Sequence, residues 1–174
     1  MKKNYKEQLH NIKAFVFDID GVLSRQTIPL DSDGDPLRTI NLRDGYALQL
    51  ASRKGYSLCV ISGNSSTSIH KRLSSLGVKH VYLGIAEKAA VMKEYMEETE
   101  LTREQVLYMG DDIPDFKVMK MAGVAVCPAD ADNEIKQISV YISDKKGGEG
   151  CVRDVIEQVM RLHGKWMNSD AFSW

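Results

Sequence analysis

Short apolar runs alternate with segments of helical periodicity along most of the chain. The apolar runs predict strands at residues 13–20, 56–61, 80–83, 106–109, 124–126 and 140–142. Apolar residues at helical spacing predict helices at residues 44–54, 65–76, 86–98, 133–138 and 151–162, with another that starts near Pro114. This alternation predicts an α/β fold, a Rossmann-like doubly wound sandwich with a central, mostly parallel sheet.

Two segments fall outside this alternation. Residues 24–42 are rich in turn-forming residues around positions 31–36, which predicts a small β-hairpin or loop inserted after the first strand. Residues 164–174 form a polar tail whose apolar side chains include Phe172 and Trp174. A length of 174 residues predicts one domain over 1–174, with these two segments attached to it.

Composition and charge exclude several classes of function. Hydrophobic residues make up 43% of the chain and the net charge is −1, values typical of a soluble globular protein without a nucleic-acid-binding surface. The apolar runs are too short to cross a membrane, and the polar residues 1–10 do not fit the apolar core of a signal peptide. Three cysteines without CxxC spacing predict no disulfide framework, and we therefore expect a cytoplasmic protein.

Polar side chains follow four of the predicted strands at the point where each strand ends. Because the carboxyl ends of parallel strands share one edge of a sheet, these residues are expected to lie together. They are Asp18 and Asp20 after the first strand, Ser62, Gly63 and Asn64 after the second, Lys88 at the start of the helix after the third, and Asp111 and Asp112 after the fourth.

These residue types fit a phosphoryl-transfer site. Asp18 is an ionised oxygen nucleophile, and Asp20 lies near enough in sequence to protonate the leaving oxygen and later to deprotonate water. Ser62 and the amide after it can donate to phosphate oxygens, and Lys88 supplies a positive charge. Mg²⁺ prefers a few carboxylates, so Asp18 and Asp111 with one backbone carbonyl would hold it.

Each of these features alone has a structural interpretation. The two aspartates could form a turn, residues 62–64 could cap a helix, and Lys88 could be a solvated lysine. The acidic residues 31–35 do not fit a calcium loop, and the glycine-rich residues 147–150 favour a flexible loop or a close backbone approach. The joint occurrence of four such segments in this order favours catalysis.

The motifs resemble those of the haloacid dehalogenase superfamily. Residues 17–23 are similar to its DxDGxL motif, residues 62–63 to its second motif, Lys88 to its third-motif lysine and residues 110–115 to its GDxxxD motif. The resemblance implies a nucleophile at Asp18 and an acid/base at Asp20. It also implies a metal held by Asp18, the Asp20 carbonyl oxygen and Asp111, with Asp112 and Asp115 in support.

Two further segments resemble the capless 3-deoxy-D-manno-octulosonate 8-phosphate phosphatases of this superfamily. Residues 41–46 are similar to NxRDGYG, and residues 147–154 are similar to GGxGAVRE. The resemblance implies a small phosphorylated sugar acid as substrate, Mg²⁺ as cofactor and a homotetramer in which neighbouring chains complete the site. It makes Arg43, Asn64 and Arg72 the candidate contacts to the sugar.

Several alternatives stay open at this point. The second motif commonly reads Thr-Gly-Arg, whereas residues 62–64 are Ser-Gly-Asn, so a nine-carbon acid sugar 9-phosphate is a competing substrate. A phosphate-binding regulatory domain without turnover is a non-enzymatic alternative, against which the intact carboxylates argue. A phosphomutase usually needs a cap domain, for which the segment after Asp20 is too short. The tail is either a lid for a neighbouring site or a frayed terminus.

Overall fold

The computed structural model describes residues 4–174, so residues 1–3 of the polar N-terminal segment lie outside it. Its centre is a sheet of six strands in which all neighbouring strands run parallel. The strands are β1 (Ala14–Phe17), β2 (Ser57–Ile61), β3 (His80–Tyr82), β4 (Val106–Met109), β5 (Val124–Cys127) and β6 (Tyr141–Ile142). Their order in the sheet is β3-β2-β1-β4-β5-β6, which confirms the doubly wound α/β prediction.

Seven α-helices accompany the sheet in the described part of the chain. They are α1 (Tyr5–Leu9), α2 (Leu42–Arg53), α3 (Thr67–Ser75), α4 (Lys88–Glu98), α5 (Phe116–Met119), α6 (Asn133–Ile138) and α7 (Cys151–Leu162). The longer helices lie within two residues of their predicted bounds. The short helix α1, capped by the Asn4 side chain, had not been predicted.

Side chains of successive strand residues point to opposite faces of the sheet, and each face has its own core. On one face Phe15 and Phe17 pack with the apolar sides of α2 and α7. On the other face Ala14 and Val16 pack with residues of α4, α5 and α6. Burial on both faces explains why the strands read as continuous apolar runs rather than as alternating ones.

The strand order reverses between β1 and β4. Both β2 and β4 pair with β1, and Asp18 N donates to the Met109 carbonyl oxygen at 3.1 Å just beyond the strands. Loops at such a reversal diverge to opposite faces of the sheet and leave a crevice at the carboxyl ends of the strands. The residues that follow β1 and β4 therefore face the same crevice.

The segment predicted as a hairpin contains little regular structure. A single antiparallel bridge joins Leu30 to Pro36 across the turn at residues 31–35. Asp31 shapes this turn, because its Oδ1 accepts from the amides of Asp33 and Asp35 at 2.9 Å each. Between β1 and α2 the chain thus has room for this hairpin but not for a cap domain.

Asp44 joins α2 to α7, the two helices that carry the sugar-acid phosphatase-like segments. Its side chain is fully buried, and its Oδ1 accepts from Arg153 N in the first turn of α7 at 2.7 Å. Gly150, the residue immediately before α7, has no side chain that could cap this helix. The Asp44 side chain, which belongs to α2, caps α7 instead. Asp44 Oδ2 is buried and has no hydrogen-bond partner among residues 4–174.

The tail folds back along α2 instead of leaving the molecule. Lys54 Nζ lies 2.6 Å from Asp170 Oδ1, and the Tyr46 hydroxyl donates to the Ala171 carbonyl oxygen. The Trp174 ring meets Tyr46 edge-on, with 5.6 Å between ring centroids. The tail is therefore packed against α2 and is not a frayed terminus in this structure.

Two negative predictions concern the membrane and the cysteines. Within residues 4–174, no helix is long and apolar enough to cross a membrane. Cys59, Cys127 and Cys151 are all buried and free.

Candidate active site

A cavity of about 660 Å³ opens at the carboxyl edge of the sheet. Its lining brings together nine of the eleven residues predicted for the site, namely Asp18, Asp20, Ser62, Gly63, Asn64, Lys88, Asp111, Asp112 and Asp115. Arg43 and Arg72, the other two, are not among its lining residues. The polar residues that follow the predicted strands therefore lie together in this crevice, at the carboxyl edge of the sheet.

Lys88 is the central cation of the cavity. It begins α4, and its Nζ lies 2.9 Å from Asp18 Oδ2 and 2.8 Å from Asp115 Oδ1. The Lys88 side chain is buried, so these contacts are little screened by solvent. Burial lowers the pKa of Lys88, but Asp18 and Asp115 outweigh this effect and leave its pKa raised. Lys88 is therefore charged, and it is not the solvated lysine of the structural interpretation.

Asp115 is held by more contacts than a surface aspartate would have. Its Oδ1 accepts from the Tyr108 hydroxyl at 2.8 Å as well as from Lys88, and its Oδ2 accepts from Asp111 N at 3.2 Å. These contacts fix Lys88 on one side and the loop after β4 on the other. Asp115 thus connects Lys88 to the loop after β4.

Asp18 and Asp111 approach each other across the reversal of strand order. Asp18 Oδ1 accepts from the Ile19 amide at 2.7 Å, while Asp111 Oδ2 accepts from Gln26 Nε2 at 3.2 Å. Gly21, which has a positive φ, lies against the Asp111 carboxylate, where any side chain would collide. The glycine of the first motif is therefore required by both its backbone conformation and this close approach.

Three carboxylates of this cluster can hold a metal ion. One oxygen each of Asp18, Asp111 and Asp115 lies within 4.8 Å of the others. Burial, and then Asp18 and Asp115, raise the pKa of Asp111 to about 8. Burial and Asp115 raise the pKa of Asp18 to about 7, against the opposing effect of Lys88. The cluster thus has more negative charge than Lys88 can neutralise, and a hard cation fits this donor set.

Asp112 and Ser62 have more local roles. Asp112 Oδ1 accepts from the Ile113 amide at 2.8 Å and shapes the turn after β4. Ser62 is buried at the end of β2, and its Oγ accepts from Asn64 Nδ2 at 3.3 Å. Its hydroxyl hydrogen stays available to a phosphate oxygen.

Sequence reasoning missed four residues of the site. Asp130 and Asp132 line the cavity and follow β5, so the strand-end argument applied to one more strand would have found them. Gln26 bridges Asp111 and the Asp130 carbonyl oxygen. Arg38 forms an ion pair with Asp20, with 2.7 Å between Arg38 Nε and Asp20 Oδ1. No sequence signal pointed to Gln26 or Arg38, because both lie in the irregular hairpin.

Comparison with known proteins defines the class. Residues 40–129 match the family model described as haloacid dehalogenase-like hydrolase. The 3-deoxy-D-manno-octulosonate 8-phosphate phosphatase KdsC of Salmonella typhi is 32% identical over 89% of this chain and 82% of its own length. The chain belongs to the haloacid dehalogenase-like hydrolase family.

Solved structures narrow the class further. A 3-deoxy-D-manno-octulosonate 8-phosphate phosphatase from Yersinia pestis has a TM-score of 0.89 and 30% identity, over 94% of this chain and 88% of that one. The enzyme of that name from Moraxella catarrhalis, in complex with magnesium ion, phosphate ion and KDO, has a TM-score of 0.90 and 29% identity, over 99% and 97% of the two chains. The protein is a phosphoric monoester hydrolase of this capless type, which confirms the resemblance seen in the sequence.

Proposed function

We propose that this chain hydrolyses 3-deoxy-D-manno-octulosonate 8-phosphate to the free sugar acid and inorganic phosphate. The observation that carries the proposal is the buried Lys88 ammonium group, held between Asp18 and Asp115 at the floor of the acidic cavity. The substrate comes from the names of the relatives. An aspartyl-phosphate on Asp18 is the proposed intermediate.

The first half-reaction transfers the phosphoryl group to Asp18. A carboxylate oxygen of Asp18 attacks phosphorus, and the bond between phosphorus and the sugar oxygen breaks. Asp20 gives its proton to that leaving oxygen, so the sugar acid departs as an alcohol. Lys88 keeps Asp18 oriented and offsets the negative charge of the incoming phosphate.

The second half-reaction restores the free enzyme. Asp20, now ionised, accepts a proton from water as the water oxygen attacks phosphorus. The bond between phosphorus and the Asp18 oxygen breaks, and inorganic phosphate leaves. The Ser62 hydroxyl and the amide that follows it are the proposed donors to the phosphate oxygens in both steps.

We propose Mg²⁺ as the cofactor, held by Asp18, Asp111 and the Asp20 carbonyl oxygen. When bound, it supplies a positive charge that neutralises phosphate oxygens and shields them from the carboxylates. Asp115 belongs to the carboxylate cluster, but its oxygens are already engaged by Lys88, Tyr108 and the Asp111 amide. We therefore assign it to support, together with Asp112.

Two of the three candidate sugar contacts, Arg43 and Arg72, require a second chain in this proposal, whereas Asn64 lines the cavity of this one. Arg43 lies in a separate surface groove beside Trp174, and the Arg72 guanidinium lies near Gly45 on α2. If either arginine binds the sugar carboxylate, we infer that it does so in a neighbouring subunit of a homotetramer. Exposed apolar side chains of the hairpin and the tail, such as Leu30 and Phe172, support such an assembly.

Phosphate release from the eight-carbon and nine-carbon acid sugar phosphates tests the function. The assays are run in parallel, with Mg²⁺ and with a chelator, and with Asp18→Asn as the inactive control. We expect Mg²⁺-dependent release that favours the eight-carbon substrate. Light scattering of the same sample tests for the tetramer.

The other outcomes have defined meanings. Preference for the nine-carbon substrate would reassign the substrate and make Asn64 and its surroundings the determinant of specificity. Release that persists in Asp18→Asn would exclude Asp18 as the nucleophile.

A further inference from the structure

The Asp20 carboxylate is held by two residues that approach it from different segments. Arg38 Nε donates to Oδ1 at 2.7 Å and Arg38 Nη2 donates to Oδ2 at 3.0 Å, a bidentate pair. Asn64 Nδ2 donates to Oδ2 at 2.9 Å. The Arg38 side chain is 10% exposed and that of Asp20 is 37% exposed, so the guanidinium side of the pair is shielded from water while the carboxylate stays open to the cavity.

The hairpin fixes the position of Arg38. Just before it, Leu37 N donates to the Pro29 carbonyl oxygen at 2.8 Å and closes the hairpin. Just after it, the Asn41 side chain caps α2 by accepting from Arg43 N at 2.8 Å. The guanidinium group therefore extends from a segment that is anchored on both sides.

Asn64 adds a constraint on the other side of Asp20. A carboxylate only accepts hydrogen bonds, so Asp20 requires the NH₂ group of Asn64 to face it. The same nitrogen also contacts Ser62 Oγ at 3.3 Å, while Asn64 Oδ1 is buried with no hydrogen-bond partner in the described part of the chain. Leaving an acceptor unpaired costs stability, which indicates that the contact to Asp20 determines this orientation.

These contacts leave few free positions on Asp20. A carboxylate has about four lone-pair positions, two on each oxygen. Both positions on Oδ2 are taken, by Arg38 Nη2 and Asn64 Nδ2, and one position on Oδ1 is taken by Arg38 Nε. As far as the described residues are concerned, the one lone-pair position left open therefore lies on Oδ1.

We propose that Arg38 and Asn64 are positioning residues that make Asp20 Oδ1 the atom of proton exchange. In the first step the bond from phosphorus to the sugar oxygen breaks, and that oxygen takes the proton from Oδ1. In the second step Oδ1 takes a proton from the attacking water. This inference rests on the proposed function, in which Asp20 is the acid and base.

The dependence of rate on the leaving group tests the proposal. A sugar alcohol needs a proton to leave, whereas p-nitrophenolate leaves without one. For Arg38→Gln we expect kcat/KM, which reports phosphoryl transfer to Asp18 but not the later hydrolysis, to fall about 100-fold with the sugar phosphate and less than about threefold with p-nitrophenyl phosphate. Because Asp20 also accepts the proton of water in the second step, kcat is expected to fall with both substrates. Arg38→Lys keeps the charge without the bidentate geometry and is expected to restore the sugar phosphate rate only in part.

Matched variants separate this effect from damage to the fold. Arg25→Gln removes another hairpin arginine and is expected to leave both rates unchanged. Arg25 Nε lies 3.5 Å from Glu149 Oε1 in an ion pair that is exposed to solvent. Asn64→Ala removes one of the three donors and is expected to give the same leaving-group pattern with a smaller loss. Thermal unfolding of each variant, followed by circular dichroism, checks the fold.

Two results would overturn the proposal. Equal losses of kcat/KM with both substrates would mean that Arg38 only stabilises the hairpin. A raised KM for the sugar phosphate at unchanged kcat would mean that Arg38 binds the sugar rather than orienting Asp20.

The substrate assignment can be wrong even if the role of Arg38 is right. If the wild-type chain hydrolyses p-nitrophenyl phosphate but neither acid sugar phosphate, the proposed substrate is wrong, and the same comparison is made with glycerol phosphate as the alkyl ester. Absence of turnover on every ester would overturn both proposals.

Discussion

Gly147 lies so close to Gly21 that a methyl group on Gly147 would collide with the Gly21 carbonyl oxygen. The next amide, Gly148 N, donates to the Val22 carbonyl oxygen at 2.8 Å. The glycine-rich segment before α7 thus packs directly behind the loop that carries Asp20. Of the two interpretations of this segment in the sequence, the close backbone approach is the one observed.

Gly147→Ala is expected to impair catalysis. The added methyl group must displace the Gly21 backbone, and a shift of about 1 Å in a catalytic loop lowers kcat about 10- to 100-fold. Steady-state kinetics with the sugar phosphate measures the loss. Gly45→Ala is the matched control, because a methyl group there meets its nearest neighbours at 3.5 Å, an ordinary contact. Full activity in Gly147→Ala would contradict the packing role of this glycine.

Mg²⁺ binding is expected to weaken as the pH falls. The pKa of Asp111 is raised to about 8 and that of Asp18 to about 7, so protons compete with the cation for these carboxylates near neutral pH. We expect affinity to be at least about tenfold lower near pH 6 than near pH 8.5, with protons released on binding. Titration calorimetry in buffers of different ionisation enthalpy measures both quantities. Affinity that does not change with pH would contradict the raised pKa values, and Asp111→Asn is the control for site-specific binding.

Asp44→Asn is expected to change how stability depends on pH. Burial raises the pKa of Asp44 from its ordinary 3.8 to about 6, against the opposing hydrogen bonds from Arg153 and Gly150. The folded state therefore holds this proton more tightly than the unfolded state. Its contribution to stability is present below about pH 4 and is lost as the pH rises through about 6, a change of roughly 3 kcal/mol.

The asparagine variant keeps the oxygen that caps α7 but does not titrate. Its free energy of unfolding relative to wild type is therefore expected to increase between about pH 4 and pH 7, as measured by urea denaturation. Asp144→Asn changes an exposed aspartate and serves as the control. Parallel pH profiles for wild type and Asp44→Asn would contradict the raised pKa.

Deletion of residues 167–174 is expected to lower the melting temperature. The deletion removes the Lys54–Asp170 ion pair, the hydrogen bond from Tyr46 to the Ala171 carbonyl oxygen and the contact of Trp174 with Tyr46. A loss of about 1 kcal/mol would lower Tm by about 2–4 °C in a chain of this size. Differential scanning calorimetry measures the shift, and Lys54→Met isolates the ion pair. An unchanged Tm would mean that the tail is not anchored on α2 in solution.

The same deletion tests the lid interpretation of the tail. A lid over a neighbouring site would change KM for the sugar acid phosphate and leave p-nitrophenyl phosphate turnover unchanged. Loss of stability without that change in KM would restrict the tail to a structural role.

Much of the fold could be predicted from the sequence because the strands are buried on both faces. Strands such as β1 and β4 therefore appear as apolar runs that end abruptly in polar residues. The predicted bounds of β4, α6 and α7 agree with the structure. The helix α1 was missed because its five residues are too few to show a periodic pattern.

The residues that line the cavity after β1, β2 and β4 could be predicted for the same reason, since most of them directly follow these strands. Arg38 could not, because its contact with Asp20 depends on the path of an irregular hairpin that no periodicity describes. Gln26 reaches Asp111 across a long sequence separation from the same hairpin. Local patterns therefore located the residues proposed to react, whereas the contacts of Arg38 and Gln26 with them depend on tertiary structure.

The pairing of β1 with β4 has a consequence for the newly made chain. Asp18 and Asp111 meet only when β4 has paired with β1, although β2, β3 and the helices between them are synthesised first. A growing chain on the ribosome therefore lacks the complete set of carboxylates proposed to bind the metal until the segment after β4 has emerged and docked. Contacts between residues so far apart in sequence form slowly during folding. We therefore expect the chain to become able to bind the metal only late in folding.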